Sequence, residues 1–244
     1  MIENNVHALN LNNFYGDEIF IGEKDPGFQV ESLIIPHHYK KLLQHVMIPY
    51  GLVNDRIEKL ALDIVNTYES ESLMPICVLK GSFQFFNSLI QKIQMISSFR
   101  AVSLPIAFHF IRAKSYTGMV RANKIEITGL DNMDDIENKN VLIVEDIVDS
   151  GSTLNKLMET FKLHKPKSIK VASLLYKRNM ANQYPYKPEY IGFNIPNKFV
   201  VGYGLDYHQY FRDLNHICVI NELGIQQYQE KDGHISNENT SVEA

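Results

Sequence analysis

Apolar residues in this chain fall into short blocks with two different spacings. Ile57, Leu60, Ala61, Ile64, Val65 and Tyr68 recur at i, i+3, i+4, i+7, i+8 and i+11, which predicts an amphipathic helix from Asp55. An unbroken run, Pro75 to Lys80 (PICVLK), comes next, then Gly81 and Ser82, then a second helical stripe of Phe85, Phe86, Leu89, Ile90 and Ile93. Ala101 to Arg112 is apolar and strand-like, Val141 to Val144 is another unbroken run, and Leu154, Leu157, Met158 and Phe161 form a third helical face. Ser168 to Tyr176 (SIKVASLLY), Phe199 to Tyr203 and His216 to Ile220 read as further strands. Continuous β-branched runs fit strands buried on both faces of a parallel sheet. Their alternation with helices through short loops predicts an α/β fold with helices on both sides of that sheet.

No repeat or low-complexity block divides the chain, so residues 1–225 are expected to form one domain. Residues 1 to 32 are Asn-rich and weakly patterned, and no chemistry is assigned to them; the polar stretch 226–244 is expected to be a disordered tail. A formal net charge of -4 supplies no broad basic footprint, so nucleic acid is not an expected partner. The two cysteines, Cys77 and Cys218, each lie inside an apolar run, which fits buried reduced thiols in the cytoplasm. No basic-then-apolar leader and no apolar run of membrane-spanning length is present, so no membrane association is expected.

The stretch with the most chemistry is VLIVEDIVDSGSTL, Val141 to Leu154. The buried run ends on adjacent carboxylates, Glu145 and Asp146; a loop of Asp149, Ser150, Gly151, Ser152 and Thr153 follows, and a helix begins. Free backbone N–H groups at a helix start, with three hydroxyls beside them, suit a phosphate monoester, and the glycine lets backbone approach it closely. The acids suit a sugar's vicinal hydroxyls or a hydrated Mg²⁺. For such a loop alone an ordinary strand-to-helix turn is the better reading; the acidic pair at the end of a buried strand reverses that preference. Lys80 and Gly81 fit a plain turn as well as a ligand contact, and a Lys177-Arg178 pair at a strand end is commonly a solvated turn. The polar connection after Arg112, beginning Lys114, Ser115, Tyr116, fits a hairpin as well as a lid.

The same stretch resembles the phosphoribosyl diphosphate (PRPP) signature of the type I phosphoribosyltransferases. Together with KVASLLYKR (Lys170 to Arg178) and KFVVGYGLDYHQYFRDLNHICVI (Lys198 to Ile220), it looks like the hypoxanthine-guanine phosphoribosyltransferases in particular, over roughly Ile48 to Gly224. The resemblance implies a parallel sheet flanked by helices, with its core at about 48–180. A small hood would come from the N-terminal region and about 181–225. It also implies a homodimer or homotetramer.

The implied reaction displaces pyrophosphate from C1 of PRPP by a purine nitrogen, giving IMP from hypoxanthine or GMP from guanine. On that resemblance Glu145 and Asp146 hold the ribose hydroxyls, and Ser150, Gly151, Ser152 and Thr153 cradle the 5′-phosphate. Asp149 faces purine N7 as general acid/base. Lys177 donates to the 6-oxo group, Phe199 stacks on the ring, and Val200 meets the base edge. Lys80, Gly81 and Arg212 receive pyrophosphate, Ser115 and Tyr116 sit on a closing flap, and Mg²⁺ is held by Glu145, Asp146 and Asp206, the last of these also meeting the purine. An ammonium at Lys177 finds a carbonyl on 6-oxopurines and only an amino group on adenine, so adenine is expected to be a poor substrate. Two positions depart from the family pattern, Ser82 in place of a glycine and Ser152 in place of a lysine. They keep open one alternative, a weak or inactive PRPP- or nucleotide-binding paralogue; a phosphoribosyltransferase for another base such as xanthine is a second.

Overall fold

The structure, a computed structural model, describes residues 18–115, 125–130, 132–179 and 186–229. In chain order the strands are β1 (Ile19–Phe20), β2 (Leu43–Ile48), β3 (Met74–Val78), β4 (His109–Ser115), β5 (Ile125–Thr128), β6 (Asn140–Val148), β7 (Ser168–Lys177), β8 (Tyr190–Ile195), β9 (Val200–Val201) and β10 (Ile217–Ile220). The helices are α1 (Tyr50–Thr67), α2 (Phe83–Arg100), α3 (Ser152–Lys162) and α4 (222–229).

Seven strands form the main sheet in the order β1-β8-β7-β6-β3-β4-β5. β6 lies between β7 and β3, parallel to both. Its apolar run explains why it is central: successive side chains point to opposite faces, and both faces here are covered. Leu142 and Val144 pack with Leu60, Ile64, Phe85 and Leu89 of α1 and α2. Val141 and Ile143 pack on the other side with Leu154, Leu157 and Phe161 of α3. All four are fully buried, and each contributes about 1.5 to 3 kcal/mol of transfer free energy. The sheet therefore fixes the carboxyl end of β6, which carries the acidic pair and leads into the loop before α3.

The sheet is mostly parallel, as expected, with one antiparallel edge: β5 runs against β4 as a hairpin arm, with Ser115 opposite Ile125. Two element boundaries are corrected. The apolar segment from Ala101 becomes strand only at His109, apart from a single bridge at Ile106. α1 begins at Tyr50, five residues before Asp55, because the Tyr50 amide donates to Nδ1 of His216 at 2.9 Å.

The hood boundaries also shift. A separate three-stranded antiparallel sheet, β2-β10-β9, joins the N-terminal half to the end of the chain. But β1 and β8, from segments expected in the hood, extend the main sheet in parallel register. The expected tail boundary at 226 falls inside α4, whose Tyr228 is buried against Phe211 and stacked on Tyr210. Residues 230–244 lie outside the described residues. Among those described, no helix is long and apolar enough to cross a membrane.

Candidate active site

A cleft of about 240 Å³ opens at the carboxyl ends of β3 and β6. It is lined by Lys80, Gly81, Glu145, Asp146, Asp149, Ser150, Gly151 and Thr153 among others, so eight sequence-predicted residues share one cavity. Gly151 sits at φ +73 as the residue before α3, a left-handed turn that L side chains resist, and it aims the first amides of α3 outward. The Ser152 amide leans on Ser150 Oγ at 3.4 Å. Ser152 does not line the cleft.

Glu145 and Asp146 form the acidic floor. Burial pushes the Glu145 carboxyl well above the usual carboxylate range, and the charge of Asp146 adds to it. Burial also raises Asp146, moderated by the Ile147 N–H donating to Oδ1 at 2.9 Å and by the nearby Arg212 guanidinium. Two partly desolvated carboxylates side by side favour a proton or a hard cation between them. Gly81 is pressed against this floor: a Cβ there would lie 1.7 Å from Asp146 Oδ2. Ser82 is fully buried, and its Oγ accepts the Asp146 amide N–H at 3.0 Å, tying the loop after β3 to the floor. The Leu79–Lys80 peptide in this loop is cis.

Asp149 is held from both sides. Lys177 Nζ donates to Oδ2 at 2.9 Å and Asn179 Nδ2 to Oδ1 at 2.8 Å. Burial works to raise the Asp149 pKa, but these hydrogen bonds and the ammonium charge outweigh it and leave the carboxyl below its ordinary value. The carboxylate is therefore ionised near neutrality and able to accept a proton. Lys177 itself is buried, while Arg178 turns to the opposite side, as strand alternation demands. There it donates to Asn194 O at 3.0 Å and Ile21 O at 2.7 Å and lies 4.1 Å from the Phe20 ring, clamping β1 to β8. Of the KR pair, only the lysine reaches the cleft's chemistry.

Phe199, Val200, Asp206 and Arg212 lie outside the cavity lining, in and around β9 and the loop after it. Phe199 is 49% exposed, with its ring edge-on to Tyr207 at 5.4 Å, while Val200 is buried in β9. Asp206 accepts the Gln209 amide at 2.8 Å through Oδ2 and Arg212 Nη2 at 2.7 Å through Oδ1. Arg212 Nη1 donates to Gly204 O at 2.7 Å, and Lys80 Nζ reaches Gln209 Oε1 at 3.2 Å. Gly204, at φ +96, backs directly onto the Gly81 carbonyl, where a Cβ would lie 2.1 Å from the oxygen. The two loops are thus stacked on each other and on Asp146.

Glu145, Asp146 and Asp206 do not converge as a cage: among the described residues no group of three or more His, Cys, Asp or Glu side chains can enclose a metal. Both oxygens of Asp206 are engaged, Oδ2 by the Gln209 amide and Oδ1 by Arg212. Glu145 and Asp146 still offer hard oxygen donors suited to a Mg²⁺ whose other ligands are water and substrate phosphate. Ser115 ends β4, and Tyr116 lies outside the described residues. Sequence reasoning missed Asn179 and Gln209. Asn179 carried a signal, since a residue two beyond Lys177 on an extended chain returns to the same side; Gln209 carried none.

Residues 50–208 match the family model described as "Phosphoribosyl transferase domain". The hypoxanthine-guanine phosphoribosyltransferase of Canis lupus familiaris is 44% identical over 211 residues, 86% of this chain and 96% of that protein. The chain belongs to the hypoxanthine-guanine phosphoribosyltransferase family. The Homo sapiens hypoxanthine-guanine phosphoribosyltransferase is 43% identical with the same coverage of both chains. The crystal structure of the hypoxanthine-guanine phosphoribosyltransferase from Schistosoma mansoni in complex with IMP superposes with a TM-score of 0.74 at 37% identity, covering 87% of this chain and 100% of that one. The mixed, mostly parallel seven-stranded sheet with its helices is thus the type I phosphoribosyltransferase fold.

Proposed function

We propose that this protein is a purine-salvage enzyme that transfers the 5-phosphoribosyl group of PRPP to hypoxanthine or guanine, releasing pyrophosphate and giving IMP or GMP. The observation that carries the reading is the single cleft holding both an ionised Asp149 gripped by Lys177 and the helix-start loop 150–153 above an acidic floor. Family membership at 44% identity supports the same reaction.

In this reading the amides at the start of α3, with Ser150 and Thr153, hold the 5′-phosphate. Glu145 and Asp146 accept from the ribose hydroxyls and fix the sugar below the reacting carbon. Lys177 turns from Asp149 to the 6-oxo group of the base, and the freed Asp149 oxygen takes the proton at N7. The exposed ring of Phe199 and the backbone of Val200 bound the base on the hood side. Lys80, the Gly81 backbone and Arg212 receive the charge that builds on departing pyrophosphate. Mg²⁺, when bound, would supply charge neutralisation for the diphosphate, with Glu145 and Asp146 as its protein ligands and Asp206 as the residue that orients Arg212.

The test is to incubate the protein with PRPP, Mg²⁺ and each of hypoxanthine, guanine, xanthine and adenine, identifying the nucleotide by mass and measuring pyrophosphate. IMP and GMP with little AMP are expected. Appreciable AMP formation refutes the role given to Lys177, a preference for xanthine moves the substrate, and absence of turnover refutes the enzyme reading.

A further inference from the structure

Gln209 stands at an unusual junction. Its side-chain oxygen accepts from Lys80 Nζ at 3.2 Å, across 129 positions of the chain, and from Arg212 Nη2 at 3.5 Å, so one neutral carbonyl sits between two cations from separate loops. Its backbone is fixed separately: the Gln209 amide donates to Asp206 Oδ2, and Gln209 takes φ +70 in a stretch where His208 and Phe211 are also left-handed. Non-glycine residues avoid that region unless the surroundings hold them there. The loop therefore presents this side chain to the cations whatever the side chain is.

Charge in the cluster is incompletely balanced. Asp206 neutralises Arg212, but among the described residues no carboxylate lies within ion-pair distance of Lys80. Arg212 also keeps a buried Nε without a hydrogen-bond partner. An oxygen that accepts from an ammonium and a guanidinium together is doing what a phosphoryl oxygen does, at the weaker strength of a neutral amide.

We propose that Gln209 is an exchangeable placeholder for a pyrophosphate oxygen: its carbonyl keeps Lys80 and Arg212 in register and yields both donors to the incoming diphosphate. Neutrality is the essential feature. A carboxylate on the same loop would bind the two cations by charge-assisted hydrogen bonds and compete with the ligand; the amide orients them and gives way. The inference rests on the proposed reaction, which makes these cations the pyrophosphate receptors.

Calorimetric titration with magnesium pyrophosphate tests it on the parent, Gln209→Glu and Gln209→Ala, with GMP titrated into each to show that the rest of the site is folded. The placeholder requires Gln209→Glu to weaken pyrophosphate tenfold or more and Gln209→Ala to stay within about threefold of the parent, with GMP binding unchanged in all three. Equal pyrophosphate affinity in Gln209→Glu and the parent overturns it. So does a tenfold loss in Gln209→Ala, since the carbonyl would then be a lasting contact rather than one that is exchanged. A parent that binds GMP but no pyrophosphate overturns the proposed reaction and this inference with it.

Discussion

One end of the cleft is drawn from a single stretch: two carboxylates, the left-handed Gly151 and the free amides of α3 all fall within residues 145–153. The other end is assembled from side chains on separate loops, with Lys80 meeting Gln209 across 129 positions and Arg212 meeting Asp206 beside them. In the proposed reaction the first end binds through backbone amides that no substitution removes together with the Ser150 and Thr153 hydroxyls, held by a strand buried on both faces. The second binds through long cations whose placement depends on two loops staying stacked. On the proposed reaction, affinity for the sugar phosphate is built mainly into the fold, while handling of the leaving group is adjustable by side-chain replacement.

The largest effect is expected between the two ends. Asp149→Asn removes the proton acceptor but leaves an oxygen for Lys177, so kcat should fall by about 10² to 10⁴; kcat within a few-fold of the parent would remove Asp149 from the chemistry. Gly81→Ala attacks the seam where the ends touch. Its Cβ would collide with Asp146 Oδ2, and displacement of a positioning group by about 1 Å can cost on the order of 10²-fold. The loss should appear in kcat/KM for PRPP, and a normal value would show that the seam relaxes freely.

A smaller effect sharpens the comparison at the phosphate end. Ser152→Lys places a cation at the start of α3 and is expected to tighten PRPP binding by about 0.5 to 1 kcal/mol, the scale of an exposed ion pair. The helix dipole opposes a cation there, so a slightly lower melting temperature should accompany the gain. No change in KM for PRPP would mean that this position does not face the phosphate.

The mildest test concerns acid. Burial lowers the pKa of His216 and of His45, and Lys198 adds to the shift at His45; both residues serve the hood side. The unfolded chain takes up these protons below pH about 6.5 whereas the folded chain resists them, so their stabilisation is whole above that value and is lost as pH falls through the folded pKa. His216→Gln keeps an acceptor for the Tyr50 amide and removes one titration. The drop in melting temperature between pH 7.5 and 5 should therefore be smaller in the variant, and an equal drop would exonerate His216.

The unequal construction also decides what the sequence could reveal. Val141 to Leu154 was readable because the strand, the acids, the glycine and the helix start are neighbours in the chain, and each has a local physical signature. Lys177 and Arg178 were ambiguous as a pair, and only the strand's period of two sends one into the cleft and the other to Ile21 and Phe20. Gln209 was silent because its backbone depends on Asp206 and its side chain on Lys80. The early start of α1 was hidden for the same reason: its cap comes from His216, 166 positions away. β1 spans two residues and carries no pattern of its own, so its place beside β8 follows from pairing rather than from propensity. Segments 19–20 and 190–195 join the main sheet by edge pairing, which a hydrophobic pattern does not encode.

The most direct test of this two-ended account is a double titration, with magnesium pyrophosphate and with GMP, on the parent, Thr153→Ala and Arg212→Ala. The account requires a crossed result: Arg212→Ala loses pyrophosphate affinity tenfold or more and keeps GMP within about twofold, while Thr153→Ala weakens GMP and spares pyrophosphate. Parallel losses of both ligands in both variants would contradict it, because the two ends would then be one cooperative site.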